Sequence, residues 1–416
     1  MKYIRLIQKR ILIIDYKNKQ LKIKIMIIKS ILDSDLYKFT MQQAVIQHFP
    51  TLKVRYKFTD RNNTVYPDGF DELIKKEVKK MESLELKKGE KLFLTEKCGD
   101  YLKPTYIDFL NGYRYDSSEL SIKLDSENHL DLMIEGYWYR TISWEVTLMG
   151  LISELYFKAT GQILDIEENN ERDLGKLSLM VDHNAFFADF GTRRRYSYAN
   201  QERVVKLFAS TPNHNFVGTS NVFLAYKYGI KPIGTLAHEW IMVIAAIYGY
   251  KMANTIAMDK WIETYGGLLG TMLVDTFTTD IFLKCFDSKF ARLFDGVRHD
   301  SGEPLEFTDK IISHYKNLGI DPMSKTIIFS DGLDVEFATR IKEYCVGKIK
   351  CSFGIGTSLT NDVGVKALNM VIKIYEVFIN GEWCAAVKLS DNIGKNTGKK
   401  DEVILCKQTL KIPTAA

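Results

Sequence analysis

The sequence predicts an α/β protein, an irregular (β/α) barrel preceded by an N-terminal α+β domain. Beyond Ser178, short apolar runs of strand length are each followed by Gly, Thr, Ser, Asp or Arg. Helical stretches separate many of these runs, as in a chain that alternates strands with helices. The runs end at Phe190, Gly218, Leu236, Asp275, Arg298, Ser330, Gly354 and Lys373, and the helical stretches are 197–210, 280–292, 307–318, 335–346 and 361–368. Polar residues at the ends of such strands are typical of a barrel with its site at the C-terminal face. A doubly wound sheet is the alternative, but its GxGxxG fingerprint is absent.

The N-terminal half mixes helices with alternating strands. Asp33 or Ser34 is the expected cap of a helix that Pro50 closes. The remaining elements are a strand at 51–60, a charged amphipathic helix at 71–90, a hairpin of 119–125 and 130–136, and a helix at 137–158. We therefore expect an α+β domain at 31–150, a barrel domain carrying the active site at 151–390, and a C-terminal segment at 391–416.

Charge is unevenly distributed along the 416 residues. Residues 1–30 hold nine Lys or Arg and one acid, a charge of +8 in a chain whose total is +5. The remainder is mildly acidic, which gives no case for a nucleic-acid-binding surface. A targeting or membrane-surface segment is one interpretation of residues 1–30; we favour a poorly ordered extension, with Met26 as a possible start.

Cysteine and hydropathy patterns point to a reduced compartment and no membrane. The six cysteines are scattered without a CxxC pair or a neighbouring histidine, which fits free thiols in a cytoplasm. No apolar run reaches the roughly 20 residues of a membrane span. No Ser-His-Asp triad, zinc cage or Walker A loop is visible, and no residue is assigned as a metal ligand.

The stretch KPIGTLAHEWIM, residues 231–242, is the expected centre of the site. Ile233 to Leu236 is predicted to be a short buried strand that presents His238 to a cavity. A histidine so placed can keep one ring nitrogen free as a nucleophile, and Glu239 is a candidate to orient it. An isolated histidine is more often a half-buried structural residue, so its neighbours decide the interpretation.

Those neighbours are typical of a site for a large polyanion bearing a sugar. FGIGTSLTND, residues 353–362, offers Gly354 and Gly356 for close backbone approach, hydroxyls, and a helix expected to start at Asn361 or Asp362. FGTRRR, residues 190–195, places three arginines after a strand, where a solvated turn is the alternative. Arg298, Asp300 and Asp331 follow other strands, and the two aspartates suit ribose hydroxyls or Mg²⁺ unless they merely cap helices.

Taken together, six motifs resemble the nicotinate phosphoribosyltransferase family. They are DSDLYKFTMQQAV, FGTRRR, FVGTSNVFLA, GTLAHEW, GVRHDSGEP and FGIGTSLTND, and the likeness runs from about residue 31 to about 410. It implies a type II phosphoribosyltransferase fold and a head-to-tail homodimer with shared sites. It also implies nicotinate and phosphoribosyl pyrophosphate (PRPP) as substrates, Mg²⁺, and ATP hydrolysis through a phosphohistidine, in the synthesis or salvage of NAD.

The resemblance also implies a role for individual residues. His238 is similar to the phosphorylated histidine, with Thr235 beside the nicotinate. Phe190, and Tyr37 of the partner subunit, would sandwich the pyridine ring. Arg193 and Arg298 would meet anionic groups, Asp300 and Asp331 would hold ribose, and Gly356 and Thr357 would bind the 5′-phosphate.

Ser220 favours the acid over the amide as substrate. Related nicotinamide enzymes carry an aspartate at this position of the GTSN motif, and a carboxylate there would repel nicotinate, whereas a hydroxyl can donate to it. A nicotinamide or quinolinate phosphoribosyltransferase remains an alternative within the class, although quinolinate would need more cations around the ring. A non-catalytic sensor of PRPP or nucleotide is the alternative from another class, and an intact His238 weighs against it.

Overall fold

The computed structural model describes residues 26–162, 168–392 and 396–413. Its strands are β1 Lys53–Asp60, β2 Leu120–Leu124, β3 Leu130–Tyr137, β4 Phe187–Asp189, β5 Phe216–Thr219, β6 Thr271–Leu273, β7 Gly296–His299, β8 Thr326–Phe329, β9 Lys350–Ile355, β10 Met370–Ile379 and β11 Glu382–Ala385. Its α-helices are α1 Leu36–His48, α2 Phe70–Met81, α3 Lys88–Cys98, α4 Pro104–Gly112, α5 Trp138–Thr141, α6 Trp144–Ala159, α7 Glu168–Asp182, α8 Tyr198–Ser210, α9 Val222–Tyr228, α10 His238–Tyr248, α11 Ala253–Tyr265, α12 Thr279–Cys285, α13 Ser288–Leu293, α14 Pro304–Asn317, α15 Val335–Cys345, α16 Thr357–Thr360 and α17 Lys400–Leu410.

Six parallel strands form the sheet predicted beyond Ser178. Their order is β5-β4-β9-β8-β7-β6, and a single parallel bridge from Thr219 to Pro232 continues the pairing beyond β5. The mixed α/β fold class is therefore confirmed. The predicted strand from Ile233 to Leu236 is wrong, because the pairing stops at this bridge, where Pro232 has no N–H to extend a ladder. His238 is consequently the first residue of α10 rather than the end of a strand.

Five antiparallel strands form a second sheet, in the order β11-β10-β1-β3-β2. The predicted strand at 51–60 and the hairpin of 119–125 and 130–136 are confirmed. The run ending at Lys373 is not a barrel strand, because β10 pairs antiparallel with β1. A sheet from the start of the chain thus receives strands from its end, and the division into domains stays a prediction.

Four predicted helices have different bounds. The stretch 361–368 is not helical, since Gly364 has a φ of 83° that a helix does not accommodate, and the short α16 ends before it. The stretch 280–292 is two helices, because the Asp287 side chain accepts from backbone N–H groups and caps the second. The stretches 71–90 and 137–158 are each interrupted too, after Met81 and after Thr141.

The N-terminal helix begins later than its predicted caps. Its N-cap is Asp35, which makes no side-chain cap bond, and the Asp33 carboxylate instead accepts from Arg195 at 2.7 and 3.0 Å. The segment before α1 pairs with the residues after β5 through Leu36 N–H to Ser220 O, 2.8 Å. The first functional motif of the chain is thereby fixed against the parallel sheet.

The basic extension lies mostly outside the described residues, which start at Met26. Ile27 and Ile28 are 3% and 1% exposed and belong to the hydrophobic core, and the boundary at residue 30 stays a prediction. One large hydrophobic cluster includes residues of both sheets and most helices. All six cysteines are described and are free thiols, as predicted.

Among the described residues, no single helix is long and apolar enough to cross a membrane. The pair His238–Tyr248 and Ala253–Tyr265, bent by 116°, passes such a test only jointly, by length and composition.

Candidate active site

A cavity of about 1020 Å³ lies between the carboxyl ends of the parallel strands and a face of β10. All of the residues singled out from the sequence line it, with the exception of Thr235. They are Tyr37, Phe190, Arg193, Ser220, His238, Glu239, Arg298, Asp300, Asp331, Gly356 and Thr357. The strand-end pattern therefore did locate a common site.

His238 is a neutral histidine with both ring nitrogens engaged. Nε2 lies 2.9 Å from Asp300 Oδ2, and Nδ1 lies 3.0 Å from Thr276 Oγ1. Burial lowers the pKa of His238 to about 4, with Lys388 adding to the effect. Burial opposes ionisation of Asp300 as well, but Arg298 and the His238 hydrogen bond hold its pKa well below the usual range. The carboxylate can only accept, so Nε2 carries the proton and Nδ1 keeps its lone pair.

Two aspartates beside His238 form a candidate cation site. Ligand atoms of His238, Asp275 and Asp300 all lie within 4.8 Å of one another. Asp275 Oδ2 accepts from Ser301 at 2.7 Å and pairs with Lys388 at 3.2 Å, while its buried Oδ1 has no hydrogen-bond partner among the described residues. Carboxylate oxygens are the protein ligands that Mg²⁺ prefers, so Asp275 and Asp300 fit this ion. Asp275 was not chosen from the sequence, although it follows an apolar run like the others.

Glu239 does not orient His238 directly, contrary to expectation. Its carboxylate accepts from Tyr56 and Trp138, each at 3.1 Å, and from Lys38. Its position explains this, because consecutive residues of a helix point in different directions and Glu239 is turned into the core. Thr276 and Asp300 are the groups that orient the imidazole.

Thr235 does not line the cavity beside a ring. Its carbonyl accepts from the Thr40 hydroxyl of α1, and the cavity wall at this point is Ile233, Gly234 and Ala237. The irregular path after Pro232 turns Thr235 toward α1 instead.

Two aromatic residues stand at one end of the cavity. Phe190 follows β4, and its ring lies over Gly354, where a Cβ would come within 2.3 Å of Phe190 Cδ2. Glycine is required there because no side chain fits beneath the ring. Tyr37 reaches the cavity from α1 of the same chain. That Tyr37 serves the partner subunit's site stays a prediction, which the single chain described here does not test.

Ser220 has a carboxylate as its hydrogen-bond partner. The Ser220 hydroxyl donates to Asp35 Oδ1 at 2.7 Å, and both residues line the cavity. Burial raises the pKa of Asp35, and Arg193 opposes the shift. The hydroxyl expected to face the substrate is thus engaged by Asp35, which the sequence interpretation had considered only as part of a motif.

The three arginines of FGTRRR do not share one mouth. Arg195 is buried in a bidentate pair with Asp33. Arg194 donates to the Met370 carbonyl at 3.0 Å, which fixes it to the start of β10. Arg193 leaves 47% of its side chain exposed to the cavity, 3.8 Å from Glu145. Arg193 and Arg194 both line the cavity where an anionic substrate group could lie, whereas Arg195 does not.

The glycine-rich turn after β9 lines the cavity with Gly356 and Thr357. The helix expected to begin at Asn361 or Asp362 instead begins at Thr357. A Cβ on Gly356 would lie 3.2 Å from the Phe190 carbonyl, a close contact. Gly356 therefore packs closely against the chain at Phe190, and contact of this turn's backbone with a ligand stays a prediction.

Additional cations line the cavity that the sequence did not reveal. They include Arg61 after β1, Arg172 and Lys176 of α7, Lys373 on β10 and Lys388. Burial lowers the pKa of Lys373 to about 7, and Lys388 and Arg61 add to the effect. A charged residue that interrupts the apolar run NMVIKIY was the available signal for Lys373.

Two aromatic rings, a glycine-rich turn, several cations and a neutral histidine beside two carboxylates define an enzyme of the group-transfer class with anionic substrates. The N-terminal domain model of the nicotinate phosphoribosyltransferase family matches residues 32–153, and the family's main model matches residues 186–414. The chain belongs to the nicotinate phosphoribosyltransferase family.

Relatives and solved structures agree with this membership. Nicotinate phosphoribosyltransferase of Desulforapulum autotrophicum is 48% identical over 387 residues, 92% of this chain and 99% of the relative. That of Chromohalobacter salexigens is 49% identical over 395 residues, 93% of this chain and 99% of the relative. The crystal structure of nicotinate phosphoribosyltransferase from Porphyromonas gingivalis superposes with a TM-score of 0.91 at 45% identity, covering 93% of this chain and all of that one.

Proposed function

We propose that the protein transfers the 5-phosphoribosyl group of PRPP to nicotinate, coupled to ATP hydrolysis through phosphorylation of His238. The products are nicotinate mononucleotide and pyrophosphate. The observation that carries the proposal is the cavity itself. It collects an aromatic clamp, a phosphate turn and a neutral histidine from one chain.

Three residues of the cavity account for binding of nicotinate, the acceptor of the phosphoribosyl group. Phe190 and Tyr37 stack on the pyridine, and Arg193 pairs with its carboxylate. The ring nitrogen already has a lone pair, so the transfer requires no general base. Positioning that nitrogen against C1 of the ribose is the main contribution of these residues.

Other residues of the cavity account for PRPP. Gly356 and Thr357 hold the 5′-phosphate through backbone and hydroxyl donors, and Asp331 holds ribose. C1 gains oxocarbenium character as pyrophosphate leaves, so cations near the leaving group stabilise the transition state. Arg298, Lys373 and Lys388 are placed for this. Asp300 is already bonded to His238 and Ser330, at 2.9 Å each, so we assign it to His238 rather than to ribose.

Mg²⁺ fits beside these cations. Asp275 and Asp300 would hold it, because both offer carboxylate oxygens and Asp275 Oδ1 lacks a partner among the described residues. When bound, the ion neutralises charge on the phosphate oxygens of the substrates.

His238 is the phosphoryl acceptor of the coupled reaction. Its neutral ring keeps a lone pair on Nδ1, and Asp300 and Thr276 fix its orientation. A phosphorylated His238 would add negative charge beside Lys388 and the PRPP site. It would thereby shift affinities toward the reactive complex.

A homodimer and a cytoplasmic location stay predictions. Tyr37 lines the cavity of its own chain, and a site shared between subunits stays the alternative. Free thiols suit a reducing compartment.

Product formation from labelled nicotinate and PRPP, with and without ATP, tests the reaction. Nicotinamide and quinolinate are the parallel substrates. We expect nicotinate mononucleotide to form and ATP to lower the apparent KM for PRPP. Preference for nicotinamide or quinolinate would assign the protein to another reaction of the class, and no product with any substrate would favour a sensor.

His238→Asn tests the coupling separately. We expect no incorporation of label from γ-labelled ATP and no ATP hydrolysis, while the ATP-independent transfer survives with weaker apparent PRPP binding. Label retained on the variant would place the phosphoacceptor elsewhere. Loss of the ATP-independent transfer as well would give His238 a role in the transfer itself.

A further inference from the structure

Lys38 is a buried cation that the reaction as proposed does not use. Its side chain is 1% exposed, and its ammonium pairs with both Glu145 and Glu239. The three residues come from α1, α6 and α10, so one charge joins three helices that all reach the cavity. A buried ammonium without its partners would be costly, which makes this arrangement specific.

One branch of the cluster leads to His238. Glu239 is the next residue in α10, and Tyr56 and Trp138 donate to Glu239 Oε1 while Lys38 occupies Oε2. Both oxygens of the carboxylate are therefore fixed by donors. Fixing this side chain fixes the first turn of α10, and hence the direction in which the His238 imidazole meets Asp300 and Thr276.

The other branch leads to the ring-binding end. Lys38 follows Tyr37 in α1, and its ammonium lies 5.5 Å from the centre of the Tyr37 ring. Glu145 uses Oε2 for Lys38 and lies 3.8 Å from Arg193 Nη1 through Oε1. Lys38 thus helps to place the two residues, Tyr37 and Arg193, that would bind the pyridine carboxylate and ring.

We propose that Lys38 is a positioning residue that ties the geometry of His238 to that of the nicotinate site, acting through Glu239 on one side and Glu145 on the other. The proposal rests on the proposed function. The two carboxylates share one ammonium, so displacing the ammonium disturbs both branches, whereas a change at one carboxylate acts mainly on its own branch. A cluster with every partner satisfied has few alternative arrangements, which keeps both ends of the cavity in register.

Four variants separate the branches. Glu239→Gln should slow labelling of His238 from γ-labelled ATP by about tenfold or more, with little change in the KM for nicotinate. Glu145→Gln should raise the KM for nicotinate by a similar factor and leave the labelling rate nearly unchanged. Lys38→Met should produce both defects, and Lys38→Arg should partly restore both, because arginine keeps the charge.

A matched control comes from a second buried glutamate held by a cation and an indole. Glu119 accepts from Arg140 Nε at 2.6 Å and from Trp144 Nε1 at 2.7 Å, and it does not line the cavity. Glu119→Gln should lower the melting temperature while leaving labelling and KM unchanged. Rates are compared per folded molecule, by circular dichroism and melting temperature.

The outcomes are separable. If Lys38→Met loses stability but keeps both rates per folded molecule, or if Glu239→Gln and Glu145→Gln give the same pair of defects, the proposal is wrong. If Lys38→Met does not fold, the proposal is tested by the other variants. Separate defects in Glu239→Gln and Glu145→Gln, with both defects present but milder in Lys38→Arg, would support it. Wild-type protein that takes up no label, or does not use nicotinate, would instead refute the proposed function, and this proposal with it.

Discussion

The parallel sheet lines the cavity with residues that follow its strand ends, whereas the antiparallel sheet lines it with residues of one strand, β10. Phe190, Ser220, Asp300 and Gly356 each follow directly after a parallel strand. Lys373 instead lies within β10, where residues 371–374 line the cavity. The first group carries the aromatic, hydroxyl, carboxylate and backbone contacts, and the second adds a buried positive charge.

This difference has a physical basis. Parallel strands end at a common edge, so residues that follow them converge whatever their distance along the chain. A residue on the face of an antiparallel sheet meets the site only because two sheets pack together. Variants of each region measure how much that region contributes to substrate binding and activity, and whether both regions serve the site of one chain.

The largest expected effect concerns residues from different parts of one chain. Tyr37→Ala and Arg298→Ala should each lower kcat/KM by roughly 10²-fold or more, as for other groups that position substrate or stabilise charge. Both side chains line one cavity of the chain, so if each site is built within one chain, mixing the two variants under conditions of subunit exchange should restore nothing. Recovery of activity in verified hybrids would show that sites are shared between chains after all.

Ser220→Asp sharpens the role of a single strand end. A carboxylate beside the buried Asp35 and the bound nicotinate should weaken nicotinate binding by about 1–3 kcal/mol. Nicotinamide should lose much less, and Ser220→Asn is the neutral control of similar size. Dissociation constants for the two ligands measure the difference. Equal losses for both would mean that Ser220 does not approach the ring substituent.

Much of the site was predictable because strand ends have a recognisable sequence pattern. The runs before Phe190, Asp300 and Gly356 gave those residues directly. What failed depended on details that periodicity does not contain. Pro232 interrupts a strand that hydrophobicity alone supports, and Arg195 looks like its neighbours in sequence but finds Asp33 across the fold.

The antiparallel face was the least predictable region. The apolar run of β10 is equally compatible with a barrel strand and with an antiparallel strand, because an apolar run does not show which strand it pairs with. Only the register of β10 with β1 places Lys373 toward the cavity. The role of Lys38 could not be predicted for a similar reason. Its burial depends on carboxylate partners that lie on helices distant in sequence.

Lys373 allows a test of the face by pH. Its pKa of about 7 means that the ammonium loses its proton as pH rises through 7 in the free protein. A polyanion favours the charged form, so PRPP binding should take up a proton above pH 7 and weaken with rising pH, by at most about tenfold per unit. Calorimetry in buffers of different ionisation enthalpy measures the uptake. Lys373→Met should abolish it, and an unchanged uptake would assign the proton to another group.

The smallest expected effect concerns residues 1–25, which lie outside the described residues. The family match begins at residue 32, and these residues carry most of the basic bias of the chain. Deleting them should leave kcat/KM and the melting temperature nearly unchanged.

Deleting residues 1–30 is the matched comparison, since it also removes Ile27 and Ile28, which are 3% and 1% exposed. Each fully buried isoleucine contributes about 1.5–3 kcal/mol, so the longer deletion should lower the melting temperature clearly. It should also loosen the segment that leads to Asp33 and Tyr37, and therefore raise the KM for nicotinate. A loss of activity or stability in the shorter deletion would show that the basic residues contribute to the folded enzyme.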